Sequence, residues 1–257
     1  EKLSMVAGNL DSLFSKVDHL SPLAKVDGEL KVLHVSDIHN NPVSLDFIQK
    51  VIDGFGVNLI IDTGDLTDYG TALETELNRK INNLGIKYVF VPGNHDSPEV
   101  VSRLKKYKNV IVMTKRIYKI NGLTIMGWAD PAIHTPGTLM VGDEQLEIEA
   151  QMLQEYLEKS KEKIDILAVH NVKLASEVEQ RVPVVLYGHD HQPEVSEKGT
   201  TVFVNAGTSG AAGVRGLANG NLPYSVALLR FDRSEGAYHL AAVDLIRAYS
   251  LHGKFIL

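Results

Sequence analysis

Histidine, aspartate and asparagine residues are concentrated in five short stretches of this sequence. These stretches are Asp37–His39, Asp62–Asp65, Asn94–Asp96, His170–Asn171 and His189–His191. They hold five of the ten histidines in the chain, although they cover only a small part of its length. Imidazole and carboxylate groups without thiolates favour Mn, Fe, Zn or Co over a soft ion such as Cu(I). The five stretches therefore predict a site for divalent transition metals.

Each polar stretch follows an apolar run with the length and composition of a buried parallel strand. The predicted strands are Lys31–Ser36, Val57–Asp62, Lys87–Val91, Ile164–Val169 and Val184–Tyr187. Ligands of open α/β sheets bind beyond the carboxyl ends of the strands, so we expect the five stretches to meet in one crevice. Residues two apart in extended backbone point to the same side. We therefore expect Asp37 and His39 to present their side chains together, and His189–His191 to do the same.

Helical patterns alternate with the strands in the first part of the chain. The predicted helices include Pro42–Phe55, Thr71–Leu84 and Asp143–Ser160, and Asn121-Gly122 predicts a β-hairpin. From Pro193 onward the pattern indicates strands only. Alternating strands and helices followed by further strands predict an α/β fold in one domain, with mixed sheets covered by helices.

The first 24 residues have a different pattern from the rest. Their large apolar residues recur at alternating spacings of three and four, at Leu3, Val6, Leu10, Leu13, Val17 and Leu20. This spacing is typical of an amphipathic helix. We expect the helix to pack on the domain, and a coiled-coil stalk is the alternative. The chain is accordingly divided into an N-terminal helix or connector, residues 1–24, and a main domain, residues 25–257.

The composition excludes several classes of site and partner. The formal net charge of -6 at pH 7 gives no overall basic field, so there is no strong signal for nucleic-acid binding. Cysteine is absent, which excludes disulfides, thiolate nucleophiles and cysteine-ligated zinc or iron–sulfur sites. No apolar run approaches the roughly 20 residues that span a bilayer. Because the chain begins at Glu1 rather than Met, we expect an upstream segment to have been removed, which could be a signal, an anchor or a larger membrane region.

The polar stretches contain five short motifs in a fixed order. They are D-x-H at Asp37–His39, G-D at Gly64–Asp65, G-N-H-D at Gly93–Asp96, a single histidine at His170 and G-H-x-H at Gly188–His191. This ordered set, spread over residues 31–231, resembles the calcineurin-like metallophosphoesterase family. The resemblance implies a four-layer α/β sandwich, with two mixed β-sheets flanked by helices. It also implies a binuclear site with two divalent ions, whose identity among Mn, Fe, Zn and Co stays open.

The resemblance assigns metal-binding or catalytic roles to nine residues. The first ion would be held by Asp37, His39, Asp65 and His191. Asp65 would bridge to the second ion, which would be held by Asn94, His170 and His189. A hydroxide bridging the ions would be the nucleophile. His95 would stabilise the transition state or protonate the leaving group, and Asp96 would orient His95.

Three further aspartates lie close to these motifs. Asp62 is an alternative to Asp65 as a ligand, although Gly64–Asp65 fits the motif better. Asp68 is expected to support a ligand rather than to bind an ion. Asp190 occupies the variable position of G-H-x-H and receives no role.

Two residues outside the motifs are candidates for contacting the substrate. Arg215 lies in a glycine-rich stretch and could bind a phosphate group. His134 lies in a loop after the predicted hairpin. A solvated arginine and a surface histidine are the alternative interpretations.

The sequence therefore predicts a phosphoesterase that acts on a small phosphate ester. A phosphodiester or a nucleotide-type substrate is expected, because prokaryotic members of the family resemble such enzymes more often than protein phosphatases. The alternative is a non-catalytic scaffold or a membrane-proximal binding module with the same fold, and the complete ligand set argues against it. The sequence pattern D-T-G-D-x-T-D-x-G at Asp62–Gly70 resembles that of a bacterial subgroup whose members are preceded by membrane segments. We therefore expect an anchored, extracytoplasmic enzyme, with a cytoplasmic one as the alternative.

Overall fold

The computed structural model describes residues 28–134, 140–213, 222–249 and 254–256. Within these residues the chain forms two mixed β-sheets, one of seven strands and one of six. The first sheet has the spatial order β13 (Lys254–Ile256), β12 (Ala237–Tyr249), β11 (Tyr224–Ser234), β1 (Leu30–Val35), β2 (Leu59–Asp62), β3 (Lys87–Phe90) and β4 (Val110–Val112). The second has the order β5 (Lys115–Ile120), β6 (Leu123–Trp128), β7 (Ile166–Val169), β8 (Val184–Tyr187), β10 (Thr201–Asn205) and β9 (Glu194–Lys198).

Parallel strands form the part of each sheet that leads to the polar stretches. Strands β1 to β4 are parallel in the first sheet, and β6, β7, β8 and β10 are parallel in the second. Antiparallel strands extend both sheets outward, with β11 to β13 on the first and β5 and β9 on the second. Because parallel strands end at the same edge of a sheet, the polar stretches after them are brought to common edges.

The two sheets pack face to face around an apolar layer. Alternate residues of each strand enter this layer, as Val32 and Leu59 do, while Leu33 and Ile60 face the opposite side of the sheet. Both faces of β1 and β2 are buried, which explains why their sequences are continuously apolar rather than alternating. Replacing a fully buried residue such as Leu33 with alanine should cost about 2–5 kcal/mol of stability.

Helices cover the outer face of each sheet. On the seven-stranded sheet, α1 (Ser44–Phe55) packs through Phe47 and Val51, and α3 (Pro98–Leu104) packs through Val100 and Leu104. On the six-stranded sheet, α4 (Asp143–Lys159) and α5 (Val172–Ser176) pack through Leu153 and Leu174. The order helix, sheet, sheet, helix confirms the expected four-layer α/β sandwich. Among the described helices, none combines the length and hydrophobicity needed to cross a bilayer.

The predicted helix Thr71–Leu84 is divided in the structure. It consists of α2 (Ala72–Leu77), which begins with a capping box between Thr71 and Glu74, and a 3₁₀ turn at Arg79–Asn83. The division lies at Asn78. Its side-chain amide donates to the carbonyl of Glu74, and its backbone N–H bonds to the carbonyl of Thr75. This i to i+3 bond tightens the helix into 3₁₀ geometry.

The predicted amphipathic helix of residues 1–24 lies outside the described residues, so the division of the chain at residue 25 stays a prediction. Both candidate substrate contacts, Arg215 and the side chain of His134, lie outside them as well. The three-residue strand β4, by contrast, is in the structure and was not predicted, because so short an apolar segment has no distinctive periodicity.

Candidate metal centre

The five polar stretches meet between the two sheets. Asp37, Asp65 and Asn94 follow β1, β2 and β3 of the seven-stranded sheet. His170 and His189 follow β7 and β8 of the six-stranded sheet. The predicted convergence is therefore confirmed. The candidate ligands form two groups, and within each group the potential ligand atoms all lie within 4.8 Å of one another. One group is Asp37, His39 and His191, and the other is Asp65, His170 and His189.

The first group places three acceptor atoms around one point. His191 Nε2 lies 3.2 Å from Asp37 Oδ1 and 3.2 Å from His39 Nε2. Asp37 Oδ1 is buried and accepts no hydrogen bond from the described part of the chain, whereas its Oδ2 accepts from Ser36 Oγ and His189 N. Burial disfavours the charged form of His39, but contacts with Asp37 and Asp68 outweigh this and raise its pKa to about 10. The ring thus lies in a strongly negative environment that suits a cation.

The second group is built in the same way around His170. Its Nδ1 donates to the carbonyl of Thr63 over 2.8 Å, so Nε2 of the neutral ring carries a lone pair. That atom lies 3.0 Å from Asn94 Oδ1, 3.2 Å from Asp65 Oδ2 and 3.2 Å from His189 Nδ1. Burial lowers the pKa of His170, but the Asp65 carboxylate outweighs it and holds the pKa well above its usual value. In the metal-free protein the His170 ring thus keeps a proton on Nε2, close to the acceptor atoms of Asn94 and Asp65. A divalent cation at this point could bind these atoms and the ring nitrogen together.

Asp65 belongs to the second group and lies on the side of it that faces the first. Its Oδ2 is 3.2 Å from His170 Nε2 and 3.9 Å from His39 Nε2. Asp62, the alternative ligand, is turned elsewhere: its carboxylate accepts hydrogen bonds from Tyr88 Oη and from the backbone N–H of Gly64. Of the two carboxylates, that of Asp65 is therefore the one that faces candidate ligands of both groups.

The backbone at five of the candidate ligands is left-handed. The φ angles are 54° at Asp37, 47° at His39, 56° at Asp65, 80° at His189 and 60° at His191. This corrects the expectation that the i, i+2 pairs lie on extended backbone. His189 and His191 lie in different groups, contrary to expectation, whereas Asp37 and His39 share one group as expected. Sparsely populated conformations cost roughly 1–3 kcal/mol each and are retained mainly where function requires them.

Two glycines allow the loops to approach each other this closely. A Cβ atom on Gly93 would overlap Asp65, and one on Gly188 would overlap Ser36 and Asp37. Both positions bring backbone directly against a candidate ligand. Glycine is therefore required here by space rather than by turn geometry.

His95 lies beside both groups with its Nε2 4.0 Å from Asp65 Oδ2. The expectation that Asp96 orients this ring is wrong, because His95 Nδ1 instead donates to the carbonyl oxygen of Asp68. Asp96 accepts hydrogen bonds from the backbone N–H groups of Asp65, Leu66, Thr67 and Gly93. Burial and the charge of Asp65 raise its pKa to about 6. Asp96 thus fixes the loops that carry the ligands.

Asp68 and Glu74 form a support beneath the first group. Asp68 Oδ1 lies 3.2 Å from His39 Nδ1, as expected for a residue that supports a ligand. Glu74 was not predicted to take part. Its Oε1 accepts from the N–H groups of Asp68 and Tyr69 and from Asn40 Nδ2. The T-x-x-E signature of a capping box at Thr71 was present in the sequence and could have identified it.

Asp190 also receives a role from the structure. Its carboxylate accepts a hydrogen bond from Asn205 Nδ2 over 2.6 Å and from the backbone N–H of Gln192. It therefore joins the turn between His189 and His191 to the end of β10. His34 is buried within β1, with its ring against Thr63 Oγ1.

Comparisons with known proteins bear on the fold and on the family. No curated protein sequence matches the chain. The fold is similar to that of calcineurin-like phosphoesterase YfkN from Bacillus subtilis, with a TM-score of 0.55, 15% identity, and coverage of 87% of this chain and 91% of that one. A putative 5′-nucleotidase from Staphylococcus aureus gives a TM-score of 0.56 at 15% identity and covers 84% of this chain, which spans only 53% of that protein. The sulfate thiohydrolase SoxB from Thermus thermophilus gives a TM-score of 0.52 at 15% identity, covering 90% of this chain and 58% of that one.

The sequence itself matches a family profile. The profile is described as calcineurin-like phosphoesterase and matches residues 30–193, which is more than half of the chain. The matched segment contains all five polar stretches and both groups of candidate ligands. The chain therefore belongs to the calcineurin-like phosphoesterase family and is a hydrolase of phosphoric ester bonds.

Proposed function

We propose that this enzyme is a metal-dependent phosphoesterase for phosphodiester or nucleotide-type substrates, with one divalent ion at each group of ligands. The observation that carries the proposal is the convergence of lone-pair atoms on both sides of Asp65. Acceptors repel one another at these distances unless a cation or protons lie between them. A shared carboxylate between two such groups is the arrangement expected for a pair of ions.

The residues proposed to hold the ions are seven in number. Asp37, His39, Asp65 and His191 would hold one, and Asp65, Asn94, His170 and His189 the other. The two carboxylates carry a charge of about -2 against +4 from two divalent ions, so the loaded site keeps a positive surplus suited to a phosphate ester. When bound, the ions would acidify a water molecule and neutralise charge on the phosphoryl oxygens.

His95 is proposed to handle a proton at the leaving group or to stabilise charge on the phosphoryl group. Its Nδ1 is committed to the Asp68 carbonyl, so Nε2 is the atom available to the substrate. The side chain is 23% exposed, which leaves it accessible from the cleft. Asp68 would hold the ring in the orientation that this role requires.

A substrate and metal panel tests the proposal. Protein stripped with chelator would be assayed alone and after loading with Mn, Fe, Zn or Co, against 4-nitrophenyl phosphate, bis(4-nitrophenyl) phosphate, nucleoside 5′-phosphates and cyclic nucleotides. Since the fold is shared with a putative 5′-nucleotidase, nucleotides belong in the first panel. We expect no turnover without metal, and faster turnover of diesters or nucleotides than of simple monoesters after loading. Equal activity in stripped and loaded protein would overturn the metal dependence.

A further inference from the structure

A second cavity opens beside the metal centre. It has a volume of about 420 Å³, against about 380 Å³ for the cavity over the ligand groups. Asn94, Met140 and His189 line both cavities, so the two are continuous lobes of one cleft. A phosphoryl group held at the metal centre would therefore direct one of its ester substituents into the second lobe, which we name the ester pocket.

One side of the ester pocket is apolar. Met140 and Val141 line it from the loop before α4, Leu146 from the first turns of α4, and Val172 from α5. Met140 is 69% exposed, which is unusual for so large an apolar side chain and leaves it free to contact a ligand. A volume above about 300 Å³ with apolar walls and few polar groups is typical of pockets for small organic ligands.

The other side of the pocket presents hydrogen-bonding groups. Asn171 Nδ2 donates to Asp130 Oδ2 over 3.3 Å, and Asp130 Oδ1 accepts from the N–H of Ala132. An amide nitrogen has two hydrogens and a carboxylate oxygen can accept more than one bond, so both groups retain capacity for a ligand hydroxyl. Asn171 directly follows His170, which places this polar side next to the metal centre.

The charge of the pocket disfavours a second phosphate. Lys173 Nζ lies 3.4 Å from Asp143 Oδ1 and 3.3 Å from Glu147 Oε1, so its charge is already compensated. Asp130 adds a further carboxylate, and the pocket residues together are net negative. An anionic group would be repelled there, whereas an uncharged group with hydroxyls would not.

We propose that the ester pocket binds a bulky, uncharged ester group of the substrate that carries hydroxyls, and that this group is a nucleoside. Its apolar side would contact the base, and Asn171 and Asp130 would bind the sugar hydroxyls. The inference rests on the proposed function, because it assumes that a phosphate ester is turned over at the adjoining metal centre. It adds the residues that select the substrate.

The test compares two diesters that share a leaving group and a charge, together with a third that carries an additional phosphate. Mn²⁺-loaded protein would be assayed with methyl 4-nitrophenyl phosphate, with thymidine 5′-(4-nitrophenyl phosphate), and with the latter carrying an added 3′-phosphate. We expect kcat/KM to be roughly tenfold or more higher for the thymidine ester than for the methyl ester. The added phosphate should cancel most of this gain.

Pocket-filling variants locate the effect. Leu146→Trp fills the pocket and should bring the ratio of thymidine to methyl ester close to one, chiefly by raising KM. Val141→Trp, in the loop before α4, gives the same test if Leu146→Trp does not fold. Ile148→Trp is the matched control, since Ile148 is on the same helix, is 45% exposed and does not line the pocket. The control should keep the wild-type ratio.

The outcomes separate the two proposals. If wild-type protein hydrolyses both diesters at similar rates, or if neither filling variant changes the ratio, the ester pocket is overturned while the proposed function stands. If the loaded protein hydrolyses neither diester nor any ester of the panel, the proposed function fails and the inference fails with it.

Discussion

His95 Nδ1 lies 2.6 Å from the backbone carbonyl oxygen of Asp68, and this single contact decides which ring atom of His95 can do chemistry. A carbonyl only accepts, so Nδ1 must carry a hydrogen and Nε2 is directed to the cleft. The Asp68 carboxylate meanwhile lies against His39 Nδ1. One loop residue therefore orients both a candidate ligand and a candidate catalytic ring.

Replacing His95 with alanine should separate chemistry from metal binding. Because His95 lies beside the ligand groups and not within them, His95→Ala should keep its metal while kcat falls by about 10²–10⁴-fold. Substrates with poor leaving groups should lose most if the ring protonates the leaving group. Metal content by elemental analysis and kcat for alkyl and 4-nitrophenyl esters provide the measurement. An equal loss for good and poor leaving groups would indicate electrostatic stabilisation instead, and loss of metal would make His95 a ligand.

Glu74 should affect kcat without touching the substrate. Glu74→Ala removes the acceptor that holds the N–H groups of Asp68 and Tyr69, so the His95 ring loses its fixed orientation. We expect kcat to fall by about tenfold with a much smaller change in KM. Glu74→Gln should be intermediate, since its amide oxygen can still accept from Asp68 while its NH₂ opposes the N–H of Thr71.

Glu76→Ala serves as the control for this prediction. Glu76 is on the same helix, but its side chain is 55% exposed and pairs only with Arg79 among the contacts described. Its removal should leave kcat unchanged. A fall in thermal stability for Glu74→Ala with no loss of kcat would limit Glu74 to a structural role.

Asp65 and Asp62 should differ sharply in their effect on metal content. Wild-type protein loaded with Mn or Zn should contain about two ions per chain, as expected for a two-metal site. Asp65→Asn should weaken both ions, because the Asp65 carboxylate faces candidate ligands of both groups. Asp62→Asn should leave both in place, because the Asp62 carboxylate is bonded to Tyr88 and Gly64. Full occupancy in Asp65→Asn would show that the bridge is misplaced.

Asp62 should also leave a signature in the stability of the metal-free protein. Burial holds the pKa of Asp62 well above its usual value, although the Tyr88 hydroxyl acts in the opposite direction. A raised carboxyl pKa means that the folded state retains its proton to higher pH than the unfolded state. The stability from this group is therefore complete below the unfolded pKa of about 4, and is lost as pH rises toward the folded pKa.

The measurement is urea unfolding in the presence of chelator at several pH values from 4 upward. Asp62→Asn should become progressively more stable relative to wild type as pH rises, since asparagine needs no proton. The Tyr88 hydroxyl can turn to accept from the new amide, so the packing is retained. If the free energies of unfolding of the two proteins instead change with pH in parallel, ionisation of Asp62 does not destabilise the folded state and the prediction is wrong.

The sequence by itself determined the chemistry and the strand framework. Each polar stretch is local and directly follows a buried strand, so a pattern of neighbouring residues was enough to predict where the stretches meet. The four-layer sandwich followed from the family resemblance of the same motifs, and the structure confirmed it. The side chains of Asp37, His39, Asn94 and His170 come together at the strand ends for this reason.

Only the tertiary structure decided how the site is supported. Asp96 contacts the backbone of Asp65, 31 residues away, and His39 contacts His191, 152 residues away, so neither relationship leaves a local pattern. The left-handed backbone at the candidate ligands was likewise invisible, because Asp and His tolerate this conformation without requiring it. The choice of Asp65 over Asp62, the support from Glu74 and the ester pocket all depend on contacts between separate loops. Such contacts form only when the two sheets pack, which is why residue order could indicate candidate ligands but not the groups that hold them in place.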